Sequence, residues 1–282
     1  MACTVELVSV GNELLIGKIP NTNAQWLAER ITNLGGRLRR TIIVRDEISE
    51  IVEALRYVAD SAPQFILTTG GLGPTFDDMT LEGIAQALGR PLELNTEALQ
   101  MIERRGRRLV SEGRRKEFHV TKSKKKMAFL PQGAIPLKNS QGSAPGVLLE
   151  LRKTRIIALP GVPYEMKAIF SESVEPLIRE MSSNLNYAET SLIVKGIGES
   201  SLSPIIDEVM KENPYVYIKS HPRNSEFLGR FIELHISALC ENPRNSRSVV
   251  EKACIEISNL TTQTGALVRE ATEQEARRQP PT

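Results

Sequence analysis

One glycine-rich segment combines residue types that bind phosphate with residue types that bind metals. Residues 68–82 have the sequence TTGGLGPTFDDMTLE, preceded by an apolar run and followed by an amphipathic segment. Gly70, Gly71 and Gly73 permit left-handed backbone angles and let a ligand approach main-chain N–H groups closely. A helix after this loop would present unpaired N–H groups and the positive end of its dipole, which attract phosphate. The pattern predicts a strand, a glycine loop and a helix.

The acidic residues of this loop have two interpretations, and the pattern leaves both open. Asp77, Asp78 or Thr80 could cap the following helix, since aspartate at a helix start is ordinary. Alternatively, a divalent cation between the carboxylates and phosphate oxygens would explain why acidic residues stand beside a phosphate-attracting loop. The second interpretation predicts a phosphate or metal site.

Strand and helix patterns alternate from the start of the chain. Apolar, β-branched runs predict strands over Thr4–Val10, Arg37–Val44 and Gln64–Thr69. Apolar residues at helical spacing predict helices over residues 21–34 and 48–59 between them. This order implies a parallel sheet with right-handed crossovers, whose ligands bind beyond the carboxyl ends of the strands.

Three carboxylates, Glu13, Asp46 and Asp78, follow the ends of these predicted strands. Each alone could be a solvated loop residue. At one sheet edge, however, they would repel one another and raise each other's pKa unless a cation or a basic group compensates. Their common placement favours a metal site.

The remaining chain contains two further blocks. Short strand candidates over residues 127–159 end in the turn Pro160–Pro163, which opens a helix and could form another wall of the site. A polar stretch at residues 182–186 predicts a linker. The β-α-β-β-α pattern over residues 189–260 then predicts a small α+β domain.

Length and composition are those of a folded protein with two domains. The chain has 282 residues, enough for two modest domains, and its 40% hydrophobic content is ordinary for globular proteins. We therefore predict a first domain over residues 1–182, a second over 183–268 and a disordered tail over 269–282.

Cysteine usage and apolar runs predict a cytoplasmic location. The three cysteines, Cys3, Cys240 and Cys254, are widely separated and lack the spacing of zinc sites, so we expect reduced thiols. No stretch has the pattern of a signal peptide or the length of a membrane span, so we expect no membrane partner.

Basic charge is concentrated between Arg104 and Lys126. Eleven lysines and arginines stand there against two glutamates, although the net charge of the chain is only +2. This segment could be a solvated basic face, or it could attract the negative charge of a nucleotide. Both interpretations remain open. Nucleic-acid binding is not expected, because it would require interleaved aromatic residues and Phe118 is nearly alone here.

Four segments resemble motifs of the CinA (competence/damage-inducible protein A) family. They are VGNELLIGKIPNTNAQWLAE, ILTTGGLGPTFDDMTLEGIAQALGRP, KNSQGSAPG and LPGVPYEMK. The resemblance covers residues 4–180 strongly and extends more loosely to about residue 265. It implies a molybdopterin-binding, MogA/MoaB-like α/β domain, a three-layer sandwich with a mostly parallel sheet, followed by a small KH-like α+β domain.

The resemblance also implies an activity. Proteins similar to this CinA domain hydrolyse ADP-ribose to AMP and ribose 5-phosphate with a divalent metal and potassium, which implies an ADP-ribose pyrophosphatase-like enzyme using magnesium, manganese or cobalt. By the same resemblance, the metal-binding and catalytic residues are Glu13, Asp46 and Asp78. The resemblance further implies substrate or phosphate binding by Thr69, Gly70, Gly71, Gly73, Pro74, Thr75, Asn21, Asn23, Lys126, Asn139, Gly146, Gly161, Pro163 and Glu165.

The sequence departs from the family pattern in ways that bear on substrate choice. Val162 replaces one proline of the usual Pro-Gly-Pro-Pro turn, and Met127 replaces a glutamine that usually follows the lysine matching Lys126. Full-length bacterial members continue into a nicotinamide-nucleotide deamidase domain that this chain lacks, so no deamidase activity is expected. A homodimer is expected by resemblance.

Two other functions stay open. The chain could be a molybdopterin adenylyltransferase or a related cofactor-synthesis enzyme, because fold does not fix function. It could also be a non-catalytic nucleotide-binding module. RNA binding by the KH-like block is not expected, because Gly196–Glu199 does not match the required Gly-X-X-Gly loop.

Overall fold

The structure is a computed structural model that describes residues 3–182, 185–225, 229–241 and 243–272. These residues form two compact units, and the division between them falls after Ser182. None of the helices in this described part is both long enough and apolar enough to cross a membrane.

A mostly parallel sheet lies at the centre of the first unit. The strands of this unit are, in chain order, β1 (Thr4–Val10), β2 (Arg37–Val44), β3 (Phe65–Thr69), β4 (Leu92–Leu94), β5 (Phe129–Pro131), β6 (Ile135–Leu137), β7 (Gly146–Leu151) and β8 (Thr154–Leu159). The sheet order is β2-β1-β3-β8-β7-β6. Strand β7 runs antiparallel to both of its neighbours, β8 and β6, and the other pairs are parallel. Strand β4 pairs with β5 in a separate antiparallel sheet. The carboxyl ends of β2, β1, β3 and β8 and the start of β7 therefore share one edge.

Helices connect these strands and cover the sheet. They are α1 (Asn12–Leu15), α2 (Thr22–Asn33), α3 (Ile48–Ala59), α4 (Thr80–Leu88), α5 (Thr96–Ser111), α6 (Lys122–Lys126), α7 (Pro163–Ile169) and α8 (Glu175–Met181), with a π-helical turn, Phe170–Val174, between the last two. Ile51 of α3 and Ile84 of α4 belong to one core with Val8 of β1. Trp26 of α2 meets Phe170 edge-on, with ring centroids 5.4 Å apart. The predicted α/β architecture with a mostly parallel sheet is confirmed.

Element boundaries were predicted well where the apolar pattern is strong. All of β3 is buried because it lies between β1 and β8, which accounts for its continuous apolar run. The bounds predicted for β1, β2 and α3 are confirmed. In α3 the apolar residues at helical spacing, such as Ile51 and Leu55, are the buried ones.

An antiparallel sheet with two helices forms the second unit. Its elements are β9 (Asn186–Lys195), α9 (Glu199–Glu212), β10 (Val216–Ser225), β11 (Gly229–Cys240), α10 (Pro243–Thr262) and β12 (Leu267–Glu270). The strand order is β10-β11-β9-β12. Leu202 of α9 and Ile257 of α10 share a core with the paired strand residues Leu192 and Leu234. The prediction of a small α+β domain with one covered sheet face is confirmed.

The sequence analysis missed several elements of the structure, among them α6 and β12. Helix α6 is a single lysine-rich turn without apolar periodicity, and it begins where the Thr121 side chain accepts a hydrogen bond from the Lys124 N–H. Strand β12 pairs with β9, so the predicted tail over 269–282 is wrong for Arg269 and Glu270. Backbone pairing at a sheet edge does not require an apolar pattern. Residues 273–282 of that predicted tail lie outside the described residues.

A carboxylate on the antiparallel sheet accepts two hydrogen bonds. The Tyr187 hydroxyl donates to Oε2 of Glu189 at 2.7 Å, and Nε2 of His235 lies 2.7 Å from the same oxygen. The bond to His235 lowers the pKa of Glu189, burial opposes this, and Tyr187 lowers the pKa further. With its folded pKa depressed, Glu189 stabilises the second unit above the pKa it has in the unfolded chain. That contribution is lost as the pH falls through the folded value.

We therefore expect the second unit of Glu189→Gln to lose less stability than that of wild type as the pH falls from about 6 to about 3. The effect on the free energy of unfolding should be at most about 1 kcal/mol, because solvent screens a half-exposed pair. Amide hydrogen exchange of β9 and β11, read by mass spectrometry across this pH range, measures it. Glu208→Gln, an exposed change on α9, should leave the wild-type profile unaltered. Identical profiles of stability against pH for Glu189→Gln and wild type would contradict the stabilising role assigned to Glu189.

Candidate active site at the carboxyl edge of the parallel sheet

The carboxyl edge of the parallel sheet opens into a cavity of about 710 Å³. Its walls come from the loops after β1, β2, β3 and β8 and from the segment before β7. The volume lies within the range of roughly 300–1,000 Å³ that small-molecule sites occupy. Most residues of the predicted site line this cavity, namely Glu13, Asn21, Asn23, Asp46, Thr69, Gly70, Gly71, Gly73, Pro74, Thr75, Asp78, Gly161, Pro163 and Glu165.

The glycine loop after β3 has a backbone that only glycine adopts readily. Gly70 and Gly71 have φ angles of 97° and 66°, in the left-handed region. The N–H of Gly70 donates to the Leu159 carbonyl at 3.0 Å, and the Thr80 hydroxyl donates to the Gly70 carbonyl at 2.8 Å. The loop is therefore anchored to β8 on one side and to the start of α4 on the other.

Three successive backbone donors of this loop are available for a ligand. The N–H groups of Gly71, Leu72 and Gly73 have no hydrogen-bond partner among the residues that the structure describes. All three residues line the cavity. Successive N–H groups in a turn that contains left-handed residues form concavities that bind anions. This segment is suited to phosphate oxygens.

Asp78 stabilises the glycine loop instead of capping α4. Its Oδ2 accepts a hydrogen bond from the Thr75 N–H at 2.8 Å and contacts the Thr75 hydroxyl. The residue before α4 is Met79, and no side chain caps the helix. The prediction that Asp77, Asp78 or Thr80 caps α4 is therefore wrong, because the loop turns back between Thr75 and Asp78 and uses that carboxylate itself.

Lys126 lies on the other side of this turn. Its Nζ donates to the Thr75 carbonyl, and the residue lines a neighbouring cavity of about 460 Å³ that shares Gly71, Gly73 and Asp78 with the main cavity. Lys126 therefore contacts the back of the glycine loop and is absent from the lining of the main cavity.

The carboxylates at this edge act on one another electrostatically. Burial raises the pKa of Asp46, and the negative charges of Glu13, Asp77 and Asp78 raise it further. The Asn12 N–H, which donates to Oδ2 of Asp46 at 2.8 Å, offsets part of that rise. The four carboxylates thus concentrate negative charge in one part of the cavity.

This acidic group fits a cation shared with a ligand better than a cation held by protein alone. Within the described residues, no three Asp, Glu, His or Cys side chains are close enough to bind one metal ion together. Mg²⁺ commonly uses only one or two carboxylates, several waters and substrate phosphates. One or two of the carboxylates Glu13, Asp46 and Asp78, beside the free N–H groups of the glycine loop, would match that mode of binding.

Side-chain amides connect the loops on the other walls. The Asn23 amide donates to the Gly161 carbonyl at 2.7 Å, which joins α2 to the turn after β8. Asn139 donates to Glu165 at 2.6 Å and to the Ala144 carbonyl at 2.8 Å. Asn139 does not line the cavity and instead holds Glu165, which does.

Gly146 is the third residue of the predicted site that does not line the main cavity, besides Lys126 and Asn139. It is the first residue of β7, and a Cβ there would lie 2.9 Å from Cγ2 of Ile169. The structure therefore places Gly146 in the packing between β7 and α7.

Comparison with known proteins decides the family. The model of the family described as "Probable molybdopterin binding domain" matches residues 6–180 of this chain. The chain belongs to this molybdopterin-binding domain family. A protein of Pyrobaculum arsenaticum is 41% identical over 90% of this chain and 93% of its own length. A protein of Aeropyrum pernix is 40% identical over 94% of this chain and 96% of its own length.

A solved structure supports the resemblance deduced from the motifs. The protein CinA from Thermoplasma acidophilum, described as being of unknown function, is 37% identical to this chain. The match covers 63% of this molybdopterin-binding domain protein and 98% of that structure, with a TM-score of 0.55. The predicted relation to the CinA family is confirmed.

Several residues that line the cavity of this molybdopterin-binding domain were not among the site residues predicted from the sequence. They are Asp77, Arg105, Arg114, Arg115 and Lys124, together with the segment Gln141–Ala144. The basic run between Arg104 and Lys126 was the available signal, since attraction of a nucleotide was one of its interpretations. Which basic residues face the cavity depends on the path of the chain after α5.

Proposed function

We propose that the first unit hydrolyses a nucleotide pyrophosphate with a divalent cation, and that ADP-ribose is cleaved to AMP and ribose 5-phosphate. The observation that carries the proposal is that one cavity contains both the free N–H groups of Gly71–Gly73 and the carboxylates of Glu13, Asp46 and Asp78. The N–H groups suit phosphate oxygens, and the carboxylates suit a cation that also neutralises phosphate charge.

The residues of the cavity have distinct roles in this reaction. The glycine loop holds a phosphate, and its N–H groups stabilise the charge that develops on the phosphate oxygens. Asp78 orients the attacking water and accepts a proton from it. The water oxygen bonds to one phosphorus atom while the bond from that phosphorus to the bridging oxygen breaks, and the other phosphate leaves with that oxygen. Lys126 supports the loop through the Thr75 carbonyl.

Glu13, Asp46 and Asp78 supply the carboxylates for the divalent cation, and one or two of them would bind it directly. When bound, such a cation supplies Lewis-acid polarisation of the pyrophosphate and lowers the pKa of a coordinated water. Burial raises the pKa of Asp46 most, and repulsion from the other carboxylates raises it further; a bound cation would compensate that repulsion.

Hydrolysis of ADP-ribose by the purified protein tests the proposal. AMP release, followed by chromatography with magnesium, manganese or cobalt and potassium present, should be at least about tenfold faster than in a chelator. The chelated sample with the cation restored serves as the control for irreversible damage. No AMP with any of the three metals would overturn the proposal.

The family match favours a second candidate, binding of a molybdopterin or its adenylylation. The matched model covers the whole α/β unit, including the glycine loop and all three carboxylates. A thermal-shift comparison separates the two candidates, because a ligand that binds only the folded state raises the melting temperature. A larger shift with a pterin phosphate than with ADP-ribose would favour this second function.

A further inference from the structure

We propose that the substrate carries a second anionic group, a phosphomonoester on its nucleoside end, which Arg105 binds together with Arg114, Arg115 and Lys124. This inference rests on the proposed function, since that function places the pyrophosphate at the glycine loop. All four basic residues line the same cavity as the carboxylates. The proposal narrows the substrate class from nucleotide pyrophosphates in general to those that carry an additional phosphomonoester.

Glu13 and Asp46 lie toward one end of the sheet edge and Arg105 toward the other, where Glu165 is the carboxylate of the cavity wall. Glu13 and Asp46 follow β1 and β2, whereas Arg105 reaches the segment before β7, where Nη2 donates to the Gln141 carbonyl at 2.8 Å. The order β1-β3-β8-β7 places three strand spacings, roughly 14 Å, between these ends. A pyrophosphate held after β3 therefore leaves the basic end for another part of the ligand.

Arg105 has a buried donor that the described residues leave without an acceptor. Its Nε is inaccessible to solvent and makes no hydrogen bond within the described part of the chain. An unsatisfied buried donor on a charged group is costly. Guanidinium presents its N–H groups in a planar fork that matches phosphate oxygens, so the N–H groups of Arg105 that face the cavity suit a bound phosphate.

Packing holds the other basic residues near Arg105. The Phe118 ring lies directly on Gly106, where any side chain would collide with it. Nζ of Lys124 lies 4.2 Å from the centre of the Phe118 ring and donates to the His119 carbonyl at 2.9 Å. Phe118 therefore fixes the segment that follows α5 against that helix, which brings its basic residues to the cavity wall.

Nearby acidic groups neutralise only part of this positive charge. Glu112 accepts a hydrogen bond from Arg108 at 2.5 Å and forms a longer ion pair with Arg114 at 3.9 Å. The Arg115 side chain has no hydrogen bond or ion pair with any residue that the structure describes. The basic end thus retains charge for an anionic ligand group, and a phosphomonoester carries up to two negative charges at neutral pH.

Calorimetric titration with two bisphosphate probes, neither of which contains a pyrophosphate, tests this proposal. The affinity for adenosine 2′,5′-bisphosphate and for adenosine 3′,5′-bisphosphate is compared with the affinity for AMP, each measured in the presence of a chelator. We expect at least one bisphosphate to bind wild type roughly tenfold or more tightly than AMP, as for added charge-assisted hydrogen bonds. Because neither probe can be hydrolysed at a pyrophosphate, the result is independent of whether ADP-ribose is a substrate.

Arg105→Gln should reduce that advantage to about threefold or less, because it removes the guanidinium that lines the cavity. Arg104→Gln is the matched control, since Arg104 is its exposed neighbour on α5 and does not line the cavity. If Arg105→Gln does not fold, Arg115→Gln, in the segment after α5, serves instead and should lose part of the advantage. Equal affinity of wild type for AMP and both bisphosphates, or an equal loss in Arg104→Gln, would overturn the proposal.

Discussion

Replacing Asp78 by asparagine is expected to lower kcat for ADP-ribose hydrolysis roughly 10²- to 10⁴-fold, the usual contribution of a group that accepts a proton in the transition state. Asparagine cannot accept that proton. Its amide oxygen can still accept the hydrogen bond that the Thr75 N–H donates to Oδ2 at 2.8 Å, so the turn should persist. Initial rates of AMP release over a range of substrate concentrations give kcat and KM.

Asp60→Asn is the matched control for this change. Asp60 is an exposed aspartate directly after α3 and does not line the cavity, so kcat should stay at the wild-type value. Fluorescence of Trp26, the single tryptophan of the chain, reports whether each variant folds. A folded Asp78→Asn protein with wild-type kcat would refute the role given to Asp78 while leaving metal-dependent hydrolysis itself open to other residues.

Gly70→Ala is expected to destabilise the first unit by about 2 to 4 kcal/mol, from the strain of a left-handed non-glycine residue together with an overpacked contact. Gly70 has a φ of 97°, and a Cβ there would collide with the Val10 carbonyl oxygen. That oxygen belongs to the backbone of β1 and cannot rotate away. Urea unfolding followed by Trp26 fluorescence measures the loss in this unit.

Gly89→Ala separates the two causes of that loss. Gly89 follows α4 with a φ of 63°, but a Cβ there would meet no atom within 4 Å. Its substitution should therefore destabilise by only about 1 kcal/mol, the strain of the left-handed backbone alone. If both variants lose the same free energy of unfolding, the collision between residue 70 and β1 contributes nothing.

The carboxylates at the strand ends could be placed from the sequence because parallel strands have a simple geometry. Glu13 follows the buried strand β1 and Asp46 follows the edge strand β2, and parallel strands bring their carboxyl ends to one edge. The structure places both in the cavity with Asp78. The glycine loop was equally accessible, since glycines between a strand and a helix indicate unusual backbone angles, and Gly70 and Gly71 have them.

The contacts of individual side chains could not be obtained in the same way. Asp78 was expected either to cap α4 or to bind metal, and the structure shows its hydrogen bond to Thr75. Arg105 was one of eleven basic residues in its segment, and its approach to Gln141 joins positions 36 residues apart in sequence. Such pairs depend on loop conformations that have no periodic pattern.

The class of fold, the sheet edge of the proposed site and the residue types found there could all be predicted from the sequence alone. These follow from local periodicity, because burial along one element acts on neighbouring side chains of that element. Tertiary structure alone decided that Asn139 holds Glu165, that Lys126 contacts the back of the glycine loop, and that Phe118 brings a basic segment to the cavity. Those contacts join elements distant in sequence, so they depend on strand order and packing, which no local pattern encodes.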